Sequence, residues 1–364
     1  DLIYISVIDT NDVHVTEVTL MSHDLTAKNS GMNTSGGDLI RFKGFNLIYK
    51  RTATASPFIF SVEINNNDVA SLSAAYSVTF DSCRPVQDSM SSMFDVVECD
   101  SPMGYGDGFF AIVTVWRPAE ETEPGPRKSW LHTIPRSVLN LRYAVPYIDA
   151  AYIVNATTMR TAGGDAFVLE GKNFGPMSLG YLDVEYGPFG NGLCATACKV
   201  FRAHSHIVCS SRPGVGADLK FTAWVGYNRK SEPSSATLSY SKPNISSVSI
   251  AGSYLDTRGS AGQQNSLIVI RGTNLGPALR SFDGCFGLSF LNQAGVSGSY
   301  GLGSETFSSE CFISVDNLEA KCSWSPGVGE HLIFIFASGG QQSESVNTIS
   351  LTYFAPELYQ ISGP

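Results

Sequence analysis

The residues of this 364-residue chain best equipped for chemistry are its eight cysteines and six histidines. Six of the cysteines fall into three pairs: Cys83 and Cys99, Cys198 and Cys209, Cys311 and Cys322. Thiols at such separations either oxidise to a bridge or hold a metal. A zinc site needs four ligands, commonly supplied by Cys-x-x-Cys couples at finger spacing. None of the three pairs has that form, and no partner couple accompanies them. Structural disulfides are therefore the expected state, and with them an oxidising compartment. Each bridge closes a loop of about 11 to 16 residues, worth around 3 kcal/mol on the chain-entropy model. Cys194 and Cys285 are left over. They can bridge neighbouring repeats, join two chains, or rearrange the pairing within the second repeat, where Cys194 and Cys198 crowd together; the sequence leaves these open.

The histidines are His14, His23, His132, His204, His206 and His331. His204-Ser205-His206 lies just ahead of Cys209, but inside an expected disulfide loop, and no carboxylate or fourth ligand is placed beside it. Structural or exposed histidines are the expectation, with no metal. No Gly-x-Ser-x-Gly elbow and no phosphate loop occurs. Asp9-Thr10-Asn11-Asp12 resembles a cadherin calcium linker but lacks the accompanying acidic motifs, and reads as a polar turn. No catalytic residue and no cofactor is expected, so the chain is not read as an enzyme. The formal charge is −9, from 24 basic and 33 acidic residues. Adjacent basic residues occur only as the isolated pairs Lys50-Arg51, Arg127-Lys128 and Arg229-Lys230. A nucleic-acid partner requires basic residues gathered on one face and is not expected. No apolar run reaches the roughly 18 residues of a membrane span, so no membrane insertion is expected. The chain opens on Asp1 without a basic-then-apolar leader, as expected of a processed polypeptide or a segment of a longer one.

What positions the cysteines is a repeat. The phrase Leu-x-Tyr-x-x-Pro recurs at Leu141 to Pro146, Leu238 to Pro243 and Leu351 to Pro356, a period of about a hundred residues. A Gly-x-Asn-apolar turn recurs at Gly44-Phe45-Asn46-Leu47, Gly171-Lys172-Asn173-Phe174 and Gly272-Thr273-Asn274-Leu275; the latter two continue into Gly175-Pro176 and Gly276-Pro277. Ahead of the first two stands Gly-Gly-Asp, at Gly36 to Asp38 and Gly163 to Asp165, of which the third repeat is expected to keep only Gly262. Each cysteine pair follows the Gly-x-Asn turn. A Pro/Gly turn comes after it: Pro102-Met103-Gly104, Pro213 to Gly216, and Pro326 to Gly329. Short apolar stretches bounded by turn residues, such as Leu332 to Phe336, predict strands, and no stretch keeps helical periodicity. The expectation is an all-β chain, a tandem array of three immunoglobulin-like β-sandwiches. The expected division is an extra strand and linker at 1–12, repeats at 13–145, 146–242 and 243–355, and a C-terminal strand at 356–364. Within the first repeat, Arg117 to Ser137 is polar and proline-rich and reads as a solvated insertion; the alternative makes Trp130 an interface anchor.

This order of marks resembles the IPT/TIG family, the immunoglobulin-like fold of plexins and some transcription factors. The match is closer from Pro146 to Pro356 than in the first repeat. The resemblance implies small sandwiches used for adhesion, receptor stalks or spacing, and carries over no catalytic residue. Three N-glycosylation sequons begin at Asn33, Asn155 and Asn244, each near the opening of a different repeat. Leu2, Ile3, Tyr4, Ile5 and Val7 read as a closing strand without its own domain, and Glu357 to Ser362 as an opening one. An unpaired strand can complete a neighbour's sheet. The first expectation is thus an extracellular, glycosylated subunit that joins copies of itself head to tail into a fibre or surface layer. The alternative is an adhesive or receptor ectodomain segment facing a cell-surface protein, and an accessory carbohydrate-binding module comes third.

Overall fold

The computed structural model describes residues 13–21, 31–48, 60–66, 76–86, 94–116, 129–135, 139, 141–189, 192–226, 229–250, 254–260, 267–278, 280–283, 289–292, 295–302, 305–344, 350–357 and 360. The expected strand from Leu2 to Val7, the Asp9 to Asp12 turn, His23, Cys285 and the residues from 361 onward lie outside them. Every described element is a strand apart from a helical-turn residue at Leu139.

The first repeat contains β1 (His14–Leu20), β2 (Leu39–Phe45), β3 (Phe60–Asn66), β4 (Tyr76–Pro85), β5 (Asp95–Asp100), β6 (Phe110–Trp116) and β7 (Ser129–Ile134). They pair in the order β1-β2-β5-β4-β3-β6-β7. One half of β4 pairs with β3 and the other with β5, so this strand passes from one layer of the sandwich to the other. The second repeat contains β8 (Tyr147–Ile153), β9 (Ala166–Lys172), β10 (Leu182–Gly187), β11 (Leu193–Cys194) and β12 (Thr196–Arg202). It continues with β13 (His206–Ser210), β14 (Leu219–Val225), β15 (Arg229–Lys230) and β16 (Thr237–Leu238). Here the layers are separate: β12-β13-β9-β8 faces β11-β10-β14-β15, with β16 on β14.

The third repeat begins with β17 (Asn244–Ser249), β18 (Ile268–Thr273), β19 (Arg280–Asp283), β20 (Ser289–Asn292) and β21 (Val296–Leu302). It ends with β22 (Glu305–Val315), β23 (Glu319–Cys322), β24 (Leu332–Ser338), β25 (Gln341–Gln342) and β26 (Ser350–Leu351). The path is β17-β18-β23-β22-β21-β24-β25, with β22 changing layers as β4 does, and β19-β20 forms a separate hairpin. Strand alternation sets the cores: Leu332, Phe334 and Phe336 of β24 point inward while Ile333 and Ile335 are only partly covered. Three apolar clusters result, within 13–143, 148–240 and 245–353.

The repeated residues each have a structural reason. In Gly-x-Asn, a Cβ on Gly44, Gly171 or Gly272 would lie 1.9–2.1 Å from the carbonyl of His14, Tyr147 or Asn244 on the neighbouring strand, so only glycine fits. That neighbour carries a register shift each time, at Val15/Glu17, Ile148/Ala150 and Ile245/Ser247. The asparagines turn the chain with φ of 57°, 63° and 59°, a left-handed conformation that asparagine tolerates better than most residues. The tyrosines of Leu-x-Tyr-x-x-Pro are buried, each in a parallel bridge to the start of its own repeat: Tyr143 to Met32, Tyr240 to Met159, Tyr353 to Leu255. Their hydroxyls donate to the carbonyls of Pro102, Arg212 and Ser325 at 3.0, 2.6 and 2.6 Å, pinning the Pro/Gly turn to the close of the repeat.

Two expectations are corrected. The third-repeat counterpart of Gly36 and Gly163 is Gly259, not Gly262, which lies outside the described residues. Gly259 N–H bonds the carbonyl of Asp256 as Gly163 N–H bonds that of Arg160, and its φ of 84° matches their 78° and 76°. The intervening spacing differs, which hid the match. The polar stretch after Arg117 is not all solvated insertion, because Ser129–Ile134 pairs along β6 as an edge strand and sets His132 against His14 at 4.8 Å. Its proline-rich first half and the Trp130 side chain lie outside the described residues.

Candidate functional site at the junctions between repeats

The cysteines first placed as chemistry turn out to clasp strands. Cys311 and Cys322 are direct register partners on β22 and β23, and bridges also join Cys83 to Cys99 and Cys198 to Cys209. All three tie the same two strands of their repeat. Cys194 is disulfide-bonded as well. His206 packs its ring on Phe201 and its Nδ1 on Ser205 Oγ, and among the described residues no three metal-ligating side chains converge.

Polar chemistry gathers instead where one repeat meets the next. Four contacts form at the first junction and three at the second, where the bond between Thr161 and Asn274 serves as both the second and the fourth. First, Tyr105 and Val215 occupy the same place in the Pro/Gly turn, since Gly106 and Gly216 each accept the N–H of the closing tyrosine next to them. Tyr105 packs on Gly226 of the second repeat and Val215 on Gly339 of the third, and a Cβ on Gly339 would come within 2.6 Å of Val215. Both glycines have positive φ, 62° and 56°, directly after the equivalent strands β14 and β24. Second, Thr34 and Thr161 are equivalent and 1% exposed. His204 Nδ1 lies 3.0 Å from Thr34 Oγ1, and Thr161 Oγ1 donates to Asn274 Oδ1 at 3.5 Å. Burial lowers the His204 pKa, which favours the neutral ring at this contact.

Third, the carbonyl of the closing tyrosine accepts a side-chain donor from the following repeat: Arg229 reaches Tyr143 O, and Gln341 Nε2 reaches Tyr240 O at 3.1 Å. Arg229 and Gln341 sit at the same position, opening β15 and β25. Fourth, the Gly-x-Asn turn faces back across the seam, with Asn173 Nδ2 donating to Val145 O at 3.0 Å and Asn274 meeting Thr161. Asn173, Asn274, His204, Arg229 and the closing tyrosines were singled out from the sequence, but for other roles, and Thr34, Thr161, Tyr105, Val215 and Gln341 were not singled out. The recurring Gly-x-Asn and Leu-x-Tyr-x-x-Pro marks lie at the seams, and Arg229 and Gln341 stand at one offset beyond an apolar strand.

Arg229 is the most confined charge at a junction, 7% exposed, with Asp107 of the first repeat 3.3 Å away. Burial lowers the guanidinium pKa and the Asp107 charge opposes this. Removing one partner of a buried pair leaves the other's charge uncompensated, whereas removing the buried charge itself does not. Asp107→Ala is therefore expected to destabilise the first two repeats by about 2 kcal/mol, less than a fully buried pair because Asp107 is partly exposed. Arg229→Met should cost less. Urea denaturation of both variants checks the order, and a larger loss for Arg229→Met would refute it.

The sequon residues Asn33, Asn155 and Asn244 are all exposed. Asn33 adjoins the buried Thr34 and Asn244 follows the junction proline Pro243, so two of the three flank seams.

No family model matches the sequence, and no curated protein matches it. Among solved structures, the Escherichia coli adhesin FdeC is similar with a TM-score of 0.26 at 9% identity, over 89% of this chain and 92% of its own. The full extracellular region of plexin A4 gives 0.23 at 12% identity, over 95% of this chain and 34% of the plexin. Invasin, a bacterial integrin-binding protein, gives 0.23 at 12% identity, over 93% of this chain and 60% of invasin. Likenesses of this strength carry no argument about what the chain does.

Proposed function

We propose that this chain is an extracellular, glycosylated structural protein of the IPT/TIG type, a subunit joined head to tail with copies of itself into a fibre or surface layer. The observation that supports this best is the junction built twice from equivalent positions, with a turn residue against a glycine, a buried threonine, and a donor on the tyrosine carbonyl. A seam repeated in this way holds successive sandwiches in a fixed relation, which is what a load-bearing rod requires. The bridges within repeats fit an oxidising exterior. Strand exchange through Leu2, Ile3, Tyr4, Ile5 and Val7 belongs to this proposal, with the strand completing a neighbouring copy's sheet. N-linked glycans on Asn33, Asn155 and Asn244 complete it.

Electron microscopy of the purified full chain is expected to show fibres, and deletion of residues 1–8 to leave folded units that do not polymerise. Short single particles at every concentration would turn the reading toward a receptor or adhesin segment. Intact-glycopeptide mass spectrometry of native material is expected to find all three asparagines occupied. Three bare sequons would remove glycosylation from the proposal.

A further inference from the structure

The first seam contains a titratable group at a position where the second has none. His204 sits in the turn between β12 and β13, and Asn317 in the equivalent turn between β22 and β23. The match holds bond for bond. Phe174 N–H and Leu275 N–H donate to the carbonyls of His204 and Asn317, whose own N–H groups donate to the carbonyls of Gly175 and Gly276. Both residues turn the chain with a left-handed φ, 64° and 61°. The difference lies in the side chain each turn carries. His204 Nδ1 lies 3.0 Å from Oγ1 of Thr34, which is 1% exposed. Asn317 has an amide that takes up no proton near neutral pH, and its Oδ1 is buried without a hydrogen-bond partner among the described residues.

We propose that the first seam is an acid-sensitive joint: protonation of His204 loosens the first repeat from the second, while the second stays docked on the third. A neutral ring can accept the Thr34 O–H at Nδ1 or donate Nδ1–H to the hydroxyl oxygen. A protonated ring can only donate, and the hydroxyl hydrogen of a covered threonine then needs another acceptor. The new charge is also uncompensated. The charged and titratable groups on the elements packed around His204 are Arg202 and His206 on its own hairpin, Glu170 and Lys172 on β9, Asp38 in the Thr34 loop, and Arg142 beside that loop. The Asp38 carboxylate already accepts Asn33 N–H, and the Asp107 carboxylate is paired with Arg229, on which Arg142 also acts. Burial lowers the His204 pKa, and no carboxylate raises it. The closed seam therefore holds fewer protons than the open one. Its closure is fully favoured above the solvated histidine value of about 6.5 and is lost as the pH falls from there through the lowered value. At the second seam Asn317 and Gln341 stand where the first has His204 and Arg229, so neither position gains charge in acid. The joint is a property of one chain and is independent of how copies of it assemble.

The test is hydrogen exchange of the full chain, followed by mass spectrometry at about pH 7.5 and about pH 5, on either side of the histidine range. Each rate is divided by that of the unstructured peptide at the same pH, which removes the chemical effect of acid on exchange. Two amides report the first seam: Gly180 N–H, 3.4 Å from the Tyr105 hydroxyl across it, and Gly104 N–H on the Thr34 carbonyl. Gly214 N–H, on the Thr161 carbonyl, reports the second. Acid is expected to lower protection at Gly180 and Gly104 by roughly threefold or more, and to leave Gly214 unchanged. His204→Asn should abolish the difference between the two pH values, and Asn317→His should give Gly214 an acid response of its own. Circular dichroism confirms that both variants are folded. Equal loss at both seams of the unmodified chain would overturn the proposal. So would an acid response at the first seam that persists in His204→Asn, which would place the effect on His14 and His132 inside the first repeat. If His204→Asn leaves the first seam open at both pH values, Asn317→His decides, and no acid response at Gly214 overturns the joint. None of these outcomes bears on whether copies join head to tail.

Discussion

Tyr240→Ala is expected to unfold the second repeat at a denaturant midpoint well below that of the intact chain, with a loss of about 4 kcal/mol. The ring is fully buried among Tyr186, Phe167 and Phe221, so truncation leaves a cavity that a disulfide-clasped sandwich cannot readily collapse. Its hydroxyl accounts for a further part. It donates to Arg212 O at 2.6 Å and lies 2.8 Å from Tyr186 OH, which in turn accepts from Arg212 N–H at 2.9 Å. Burial raises the Tyr240 pKa well above its ordinary value and raises that of Tyr186, so both stay protonated and able to donate. Tyr240→Phe keeps the ring and strands the partners, and should cost about 1–3 kcal/mol. Chemical denaturation followed by tryptophan fluorescence measures both variants. Equal losses for Ala and Phe would show that the hydroxyl network, not the volume, holds the repeat closed.

Replacing Cys311 and Cys322 together by serine is expected to lower the stability of the third repeat by about 3 kcal/mol, the loop-closure entropy of a short bridge. The sequence separation is 11, and Cys322 is fully buried against the third core, so two serine hydroxyls placed there add to the loss. Differential scanning calorimetry should show the third repeat melting earlier while the transitions of the other two, whose bridges are intact, stay in place. A uniform shift of all transitions would mean that the repeats unfold as one cooperative unit, and that the seams rather than the individual cores set the stability.

The sequence by itself determined what depends on local chemistry. Strand alternation, turn residues and equivalent cysteine pairs recur at one period, and each is a constraint between residues close in sequence or fixed in spacing. The Gly of Gly-x-Asn was legible because no other residue tolerates a carbonyl about 2 Å from its Cβ position. Tertiary structure decided what those marks are for. Gly259 could not be matched to Gly36 by spacing, and only its bond to Asp256 identifies it. Pro102 has no N–H to offer a second hydroxyl, and in the first repeat Ile64 stands where Tyr186 and Tyr300 complete the network elsewhere. That exchange couples positions 38 residues apart and is invisible to any local pattern. The junctions were hidden for the same reason. Tyr105 with Gly226, Thr34 with His204 and Arg229 with Tyr143 meet across more than eighty residues, between side chains of ordinary polarity. Their role comes from the stacking of finished sandwiches, an arrangement that exists only once each core has closed.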